Sequence, residues 1–309
     1  MSLRDSQPKT IRLEDYKPPL YLIDKTALRF ELGDEETLVK AALQFRRNPN
    51  AEASAAENTL RLHGQELDFR SLAIDGQALS ADQYQLGAEE LVIHQVPEQF
   101  LLESVVAIKP QDNTSLEGLY KSQTMYCTQC EAEGFRKITW YLDRPDVMSE
   151  FTTTVEADKS QYPLLLSNGN PVDSGDTPDG RHWVTWHDPF KKPAYLFALV
   201  AGSLSCIEDS FTTMSGRDIA LRIYVEEKDL DKCDHAMQSL KNAMTWDEEV
   251  YGREYDLDIF MVVAVDDFNM GAMENKGLNI FNTSCVLAKA ETTTDAGFQR
   301  VEAVVAHEY

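Results

Sequence analysis

Apolar and polar residues alternate along many short segments of this chain, up to about Ser203. Leu28, Phe30 and Leu32, for example, alternate with Arg29 and Glu31. A period of two puts the apolar side chains on one face of an extended strand, so the pattern predicts strands with one buried face. The same alternation recurs at Leu60/Leu62, Phe69 to Ile74, Leu91/Ile93 and Ile138 to Leu142. Such a chain has to build sheets that bury their apolar faces.

Turn-forming residues separate these segments. They occur at Asp75-Gly76, at residues 167–171 (SNGNP) and at Asp179-Gly180, and no helical periodicity intervenes. The sequence therefore predicts an all-β N-terminal domain over residues 1–203, folded as an antiparallel sandwich or saddle-shaped sheet. Asn48 to Ala56 is predicted to be a surface loop.

The pattern changes from residue 204 onward. A strand is predicted over Ile219 to Val225, and an apolar stripe at helical spacing predicts a helix over Asp229 to Tyr251, with Gly252 as its stop. Ile259 to Val265 is a continuous apolar strand. A last helix is predicted to begin near Thr294 or Asp295. Residues 204–309 thus read as the first part of a mixed α/β domain that this sequence does not complete.

The charge of the chain bears on its partners. The formal net charge is −23, so no basic surface is available for nucleic acid or for an anionic membrane. No apolar stretch has the length of a membrane span, and residues 1–17 contain no apolar signal-peptide core. The cysteines are odd in number and scattered, which favours a reducing cytoplasm. An acidic surface suits a cationic ligand such as the free amino terminus of a peptide, although acidic residues more often serve solubility.

The chain ends with His307, Glu308 and Tyr309 after a run of apolar residues that reads as a helix. A histidine followed by a glutamate opens the zinc-protease signature H-E-x-x-H. In that signature two histidines four residues apart bind the metal, and the glutamate is the general base. The second histidine would fall two positions after Tyr309. By itself, a terminal His-Glu pair is more often a feature of an ordinary helix end.

A second segment follows the apolar strand at residues 266–277 (DDFNMGAMENKG). Loops after buried strands often carry binding residues. Its glycines let the backbone approach a ligand closely, and Glu274 offers a carboxylate. The residues alone favour a ligand-facing loop no more than an ordinary strand connection.

Three motifs together resemble one known family. Residues 271–275 (GAMEN) match an exopeptidase motif and lie before His307 and Glu308, while residues 128–136 (TQCEAEGFR) and 141–146 (YLDRPD) precede both. In this order they resemble the zinc metalloaminopeptidase family that includes the bacterial aminopeptidase N group. The resemblance covers essentially the whole chain. It implies a β-saddle domain followed by a thermolysin-like α+β catalytic domain, and release of N-terminal amino acids from peptides.

The resemblance also implies roles for individual residues. Glu274, Glu131 and Gln129 would hold the free α-amino group of the substrate. Two carboxylates around an ammonium group would form short, charge-assisted hydrogen bonds, and such an anchor selects the end of a peptide. The loop 266–277 would supply the remaining substrate-binding positions, which are Met270, Gly271, Ala272, Met273 and Asn275. Met270 would adapt to the first side chain, Met273 is equally explained as core, and no role for Asn275 follows from the sequence.

At the metal, His307 would supply one imidazole and Glu308 would be the catalytic general base. The resemblance implies one Zn²⁺ per full-length chain. The remaining ligands would lie after Tyr309, so residues 1–309 alone are expected to bind zinc weakly or not at all and to have no peptidase activity. A cytoplasmic monomer that acts on peptides, without nucleic acid or membrane partners, is expected.

Two alternatives remain open. The chain could be a non-catalytic β-rich binding module that kept the fold, or a related zinc hydrolase with another class of substrate. The spacing of Cys127 and Cys130 could in principle form a redox pair or half a zinc knuckle, but no second pair accompanies it. The histidines other than His307 show no ligand spacing, so packing roles are expected for them.

Overall fold

The computed structural model describes residue 10, residues 12–51 and residues 58–309. Most of the predicted loop from Asn48 to Ala56 lies outside these residues. The described part contains twenty strands and two α-helices. The strands are β1 (Tyr21–Glu31), β2 (Thr37–Arg47), β3 (Leu60–His63), β4 (Asp68–Ile74), β5 (Gln77–Ala78), β6 (Tyr84–Leu86), β7 (Glu90–Ile93), β8 (Gln99–Ile108), β9 (Gly118–Ser122), β10 (Met125–Gln129), β11 (Met148–Asp158), β12 (Leu164–Ser167), β13 (Asn170–Asp176), β14 (Arg181–Pro193), β15 (Leu199–Gly202), β16 (Ser205–Thr212), β17 (Asp218–Val225), β18 (Ile259–Val265), β19 (Ala272–Met273) and β20 (Leu278–Asn282). The helices are α1 (Asp234–Tyr251) and α2 (Asp295–Glu308).

A large sheet forms the outer layer of the N-terminal part, with eight strands in the order β13-β14-β11-β1-β2-β8-β4-β5. Along β1 and β2 buried positions alternate with more exposed ones, as the period of two in the sequence predicts. The expected fold class is confirmed, with one difference. The sheet is not purely antiparallel, because β1 and β11 pair in parallel. Their pairing joins strands far apart in sequence, which alternation alone does not specify.

Two smaller sheets pack with the large one. One contains β3, β7 and β6, and the other has the order β12-β15-β10-β9. The four-stranded sheet presents one face to the core of the N-terminal part, where Leu119, Tyr126 and Leu199 are buried. Its other face carries Tyr120, Cys127 and Val200, which belong to a second apolar cluster. The four-stranded sheet is therefore covered on both faces.

Residues from Ser205 onward build a third layer around a five-stranded sheet with the order β16-β17-β18-β20-β19. Strands β17, β18 and β20 are parallel, and every residue of β18 is buried. Helices α1 and α2 cover one face of this sheet through residues such as Leu240, Met244, Val301 and Val305. This layout agrees with the prediction for residues 204–309. The boundary near Ser203 stays a prediction; the chain leaves the four-stranded sheet at Gly202 and enters the five-stranded sheet at Ser205.

The second apolar cluster lies between the four-stranded and five-stranded sheets. It joins Tyr120 and Val200 on one side to Met261, Val263 and Ile280 on the other. Burial of apolar surface contributes roughly 25 cal/mol per Å². The two parts of the chain therefore share a packed core at the place where the loop 266–277 emerges.

Two local predictions were wrong. The segment Ile138 to Leu142 forms no strand, and only Tyr141 makes an isolated bridge, with His63. Residues 138–142 are all buried, and they pair with β3 only at its last residue, His63, so the alternation reflects packing on several sides. The helix predicted from Asp229 begins at Asp234, after a 3₁₀ helix over Glu227–Lys232.

Three predicted element ends are confirmed. Gly252 ends α1 in the left-handed conformation with φ of 61°. Thr294 caps α2, and its side chain accepts a hydrogen bond from the Gly297 amide. Asp75 and Gly76 form the turn between β4 and β5. Among the described residues, no helix is both long and apolar enough to cross a membrane.

Candidate active site

Helix α2 carries the terminal His-Glu pair. Val301 and Val305 bury one side of this helix against the five-stranded sheet. The carbonyl oxygen of Glu308 accepts a hydrogen bond of 3.2 Å from Nδ2 of Asn279 on β20. Because Asn279 is almost fully buried, this contact fixes the end of the helix relative to the sheet.

His307 and Glu308 face different cavities, as consecutive residues of a helix do. The exposed side chain of His307 lines a groove between α1 and α2 of about 570 Å³. Glu308 lines a cavity of about 200 Å³ whose other walls include Glu274, Asn279 and Tyr309. The structure thus brings Glu308 together with Glu274, and His307 lies on the adjacent side of the helix.

The loop 266–277 connects β18 to β20. Asp266 and Asp267, at its start, are exposed. Strand β19 lies within the loop and pairs with β20, and Glu274, directly after β19, is exposed. Met270 has 39% of its surface exposed, which suits a side chain that meets a ligand. Met273 instead is fully buried between the two sheets. The sequence left substrate binding and core packing open for Met273, and its side chain packs in the core.

Asn275 is buried, with 1% of its surface exposed, yet neither its Nδ2 nor its Oδ1 has a hydrogen-bond partner among the described residues. An unpaired buried amide costs on the order of 1–3 kcal/mol. This is the kind of group whose partner a ligand or a water can provide. No role for Asn275 followed from the sequence, and its two unpaired side-chain atoms make it a candidate polar contact.

Gln129 and Glu131 come from the N-terminal part, at and just after the end of β10. Gln129 is buried, and its Oε1 has no partner in the described part of the chain. Its Nε2 lies 3.4 Å from the carbonyl oxygen of Glu131. Glu131 is exposed and lies two residues after the end of β10, and its peptide bond to Ala132 is cis. Gln129 thus resembles Asn275 in offering a buried, unpaired oxygen.

Electrostatic effects connect these carboxylates. Burial, together with the negative charges of Glu274 and Glu131, raises the pKa of Glu308 to about 7 against the opposing effect of His307. Both carboxylates also raise the pKa of Tyr195, after the larger effect of burial. Because such effects fade with distance, Glu131, Glu274 and Glu308 belong to one acidic cluster, with Tyr195 at its border.

Tyr195 and Asn279 were not identified from the sequence. Tyr195 lies in a 3₁₀ helix over Ala194–Leu196, at the start of an apolar run over residues 195–201 that carries no local sign of a ligand-facing residue. Asn279 is a buried polar residue between the apolar residues Leu278 and Ile280 of β20. A polar residue within an apolar strand was a usable signal of a residue with a specific hydrogen-bonding role.

No group of three or more histidine, cysteine, aspartate or glutamate residues in the described part of the chain could hold a metal ion. His307 is one imidazole, and a catalytic zinc needs three protein ligands. The described residues therefore bring no complete set of zinc ligands together.

The pair Cys127 and Cys130 and the histidines His182 and His187 have local structural surroundings that account for them. Cys127 and Cys130 are free, buried thiols, and burial raises the pKa of both, that of Cys127 to about 12. Thiols in this state are unreactive. His182 is bonded to the Tyr162 carbonyl at 2.7 Å, and His187 lies 3.1 Å from the Thr152 hydroxyl. Both histidines have local partners.

Comparison with known proteins adds independent findings. A family model described as Peptidase M1 N-terminal domain matches residues 16–196, and one described as Peptidase family M1 domain matches residues 235–309. Aminopeptidase N of Caulobacter vibrioides is 52% identical over 99% of this chain and 35% of its own length. Aminopeptidase N of Escherichia coli strain K12 is 52% identical over 98% of this chain and 34% of its own length.

A solved structure has the same fold as this chain. The crystal structure of Legionella pneumophila aminopeptidase A in complex with aspartic acid superposes with a TM-score of 0.92 and 38% identity, over 96% of this chain and 35% of that one. This chain therefore spans about a third of the length of the relatives it matches.

Proposed function

Because this chain belongs to the peptidase M1 family, we propose that the complete protein is an aminopeptidase that releases N-terminal amino acids from peptides. The observation that carries the proposal is the cavity that Glu274 and Glu308 line together, and the negative charge of Glu131, from the N-terminal part, also acts on Glu308. A site with two ionised carboxylates attracts the ammonium group of a peptide end and excludes internal segments of a chain, which lack that charge.

In this proposal Glu274 and Glu131 bind the α-amino group, and Gln129 contributes its unpaired buried oxygen. The backbone at Gly271 and Ala272 lies along the peptide. Met270, with its flexible and partly exposed side chain, contacts the first residue of the substrate. Asn275 offers one donor and one acceptor beside the anchor.

Glu308 is the general base in this proposal. A base works best when its pKa is close to the working pH, and burial together with the neighbouring carboxylates raises the pKa of Glu308 to about 7. Glu308 accepts a proton from the attacking water and returns it to the leaving amine. Zinc dependence of the complete protein belongs to the proposal too, with His307 as the ligand from this chain. For residues 1–309 taken alone we propose no peptidase activity.

The cellular setting and assembly are also proposals. The bacterial aminopeptidase N resemblance and the scattered free cysteines support a cytoplasmic protein. A monomer is proposed, with peptides as its partners and without nucleic acid or membrane partners. The net charge of −23 supports the last point.

The test uses the complete protein and two substrates that differ only at the amino group, L-alanine p-nitroanilide and Nα-acetyl-L-alanine p-nitroanilide. We expect release of p-nitroaniline from the free amine only, and loss of about two to four orders of magnitude in kcat with Glu308→Gln. Equal hydrolysis of both substrates contradicts an aminopeptidase. Hydrolysis of neither, in the metal-loaded protein, favours a binding module or a hydrolase of another substrate class.

A further inference from the structure

The loop 266–277 is held at its start by the four-stranded sheet of the N-terminal part. The hydroxyl of Tyr120 on β9 donates a hydrogen bond of 2.9 Å to the carbonyl oxygen of Asp267. The hydroxyl of Ser122 on the same strand donates one of 2.9 Å to the Asp267 carboxylate. Asp267 is thus bound through both its backbone and its side chain.

The end of the loop is held by a residue next to another strand of that sheet. Asn168 directly follows β12 and is buried. Its Nδ2 donates hydrogen bonds to the carbonyl oxygens of Lys276, at 2.8 Å, and Leu196, at 3.0 Å. Its Oδ1 accepts one of 2.8 Å from the Ala198 amide. Both donors and the acceptor of one side chain are used, and one donor reaches across to the loop.

The fit beside Asn168 is close. Gly277 has φ of +75°, and a Cβ atom there would lie 3.5 Å from the Gly169 nitrogen and 2.9 Å from Cδ1 of Leu257. The loop end therefore lies directly against the turn that contains Asn168 and Gly169. This contact restricts where the carbonyl of Lys276 can lie.

The same sheet carries the other half of the amine anchor. Strand β10, which ends at Gln129 and leads to Glu131, pairs with β9 on one side and β15 on the other. Strand β15 in turn pairs with β12, which leads to Asn168. One sheet therefore carries Glu131 and also binds both ends of the loop that carries Glu274.

We propose that Asn168, together with Tyr120 and Ser122, is a positioning residue that sets the spacing between the Glu131 and Glu274 carboxylates. The inference rests on the proposed function, in which both carboxylates hold one ammonium group. Binding groups have to be held within roughly 0.5 Å of their productive geometry. Two carboxylates on different elements keep such a spacing only if those elements are tied together, and these hydrogen bonds tie them.

The experiment compares matched variants of the complete protein. Tyr120→Phe/Ser122→Ala removes the contacts at the loop start, and Asn168→Ala removes the contact at its end. Tyr126→Phe and Asn48→Ala are the controls. Tyr126 donates to the Gly33 carbonyl, and the buried Asn48 side chain donates to the Pro19 carbonyl, so neither of these bonds involves the loop. The Tyr120/Ser122 variant keeps the test valid if Asn168→Ala fails to fold.

The readouts are KM and kcat for L-alanine p-nitroanilide and the inhibition constant of n-propylamine, a ligand reduced to the amine. Neither KM nor the inhibition constant depends on the fraction of folded enzyme. We expect both to rise roughly tenfold in the loop variants, about 1.4 kcal/mol of binding, and to stay within about twofold in the controls. A fall in kcat or in thermal stability with KM and the inhibition constant unchanged overturns the positioning role. An equal rise in the controls does so too.

A measurement without catalysis separates this inference from the proposed function. If the wild-type protein hydrolyses no anilide, the proposed function fails, and hydrogen exchange of the loop still tests the positioning role. The amides of Leu278 and Asn282, bonded to the Asn275 and Gly271 carbonyls, are expected to exchange faster in the loop variants than in the controls. Unchanged exchange at both amides overturns the inference.

Discussion

Glu274 and Glu308, which are 34 residues apart in the chain, line one cavity of about 200 Å³. The charge of Glu274 raises the pKa of Glu308, after the larger effect of burial. The loop 266–277, which follows β18, and the last turn of α2 thereby line one acidic cavity. The amine anchor and the general base of the proposed reaction meet there.

The first prediction uses Tyr195 as a reporter of this cluster. Negative charges at Glu274 and Glu131 disfavour the tyrosinate form and so raise the pKa of Tyr195. Glu274→Gln and Glu131→Gln should each lower that pKa, toward the ordinary value of a tyrosine. The measurement is a titration of the ¹³C-labelled tyrosine signal, assigned with Tyr195→Phe. Glu133→Gln is the matched control, and a shift as large in the control would remove the evidence for one acidic cluster.

The second prediction concerns Glu274 in catalysis. Glu274→Ala in the complete protein should lower kcat/KM for L-alanine p-nitroanilide by about 30- to 1,000-fold, or about 2–4 kcal/mol, because one partner of the ammonium group is lost. The exposed position of Glu274 leaves the thermal unfolding temperature nearly unchanged. Steady-state kinetics and a melting curve measure the two effects. Unchanged turnover would rule out the amine-anchoring role.

The third prediction concerns the ion pair of Lys192 and Asp188. The Nζ atom of Lys192 lies 3.0 Å from the Asp188 carboxylate, and their side chains are 3% and 0% exposed. Burial lowers the pKa of Lys192 to about 8. Lys192→Ala leaves a buried carboxylate without its cation, so the free energy of unfolding should fall by about 3–5 kcal/mol.

The neighbouring lysine provides the control for that experiment. Lys191 pairs with Asp24 at the surface, and Lys191→Ala should cost no more than about 1 kcal/mol. Urea unfolding of both variants measures the difference. Similar losses of unfolding free energy in Lys192→Ala and Lys191→Ala would show that the buried ion pair of Lys192 contributes no more to stability than the surface pair.

The fourth prediction separates backbone strain from contact at Gly277. Gly277 and Gly180 both have positive φ, 75° and 86°, but a Cβ would meet Leu257 at Gly277 and nothing within 4 Å at Gly180. Each alanine substitution should cost about 1–2 kcal/mol for the left-handed backbone. Gly277→Ala should lower the free energy of unfolding by more than Gly180→Ala does, because Leu257 or the loop has to move. Equal loss of unfolding free energy in both variants would contradict the close fit of the loop end.

The fifth prediction concerns zinc. A polypeptide of residues 1–309 should retain much less than one zinc per chain after dialysis, because its described residues place no group of three ligands together. Atomic emission spectroscopy measures the metal content, and His307→Ala is the comparison. A stoichiometric zinc that depends on His307 would contradict the prediction.

Much of the fold followed from local pattern. The alternation of Leu28, Phe30 and Leu32 predicted a strand because a single buried face imposes a period of two. Thr294 and Gly252 marked helix ends because a cap depends on the few residues around it. The segment Ile138 to Leu142 showed the same alternation and formed no strand, since a strand also needs pairing with a neighbour along its length, which local sequence does not specify, and only Tyr141 makes such a bridge.

The start of α1 shows the same limit. The carbonyl of Lys232, which lies inside the predicted helix, accepts a hydrogen bond from the distant Ala288 amide, and the helical bonding begins instead at Cys233. Helical periodicity at Leu230 could not show this, because the competing donor comes from 56 residues further along the chain.

The sequence by itself determined the family resemblance and the residue types of the candidate site, because motifs such as GAMEN and the His307-Glu308 pair are contiguous. It also determined where most strands lie, since burial of one face leaves a local period. Only the tertiary structure decided that Glu131, Glu274 and Glu308 form one cluster, that Met273 is core, and that Asn168 binds the loop. Those relationships join residues that are far apart in sequence and lie on separate elements, and only the way these elements pack brings such residues together.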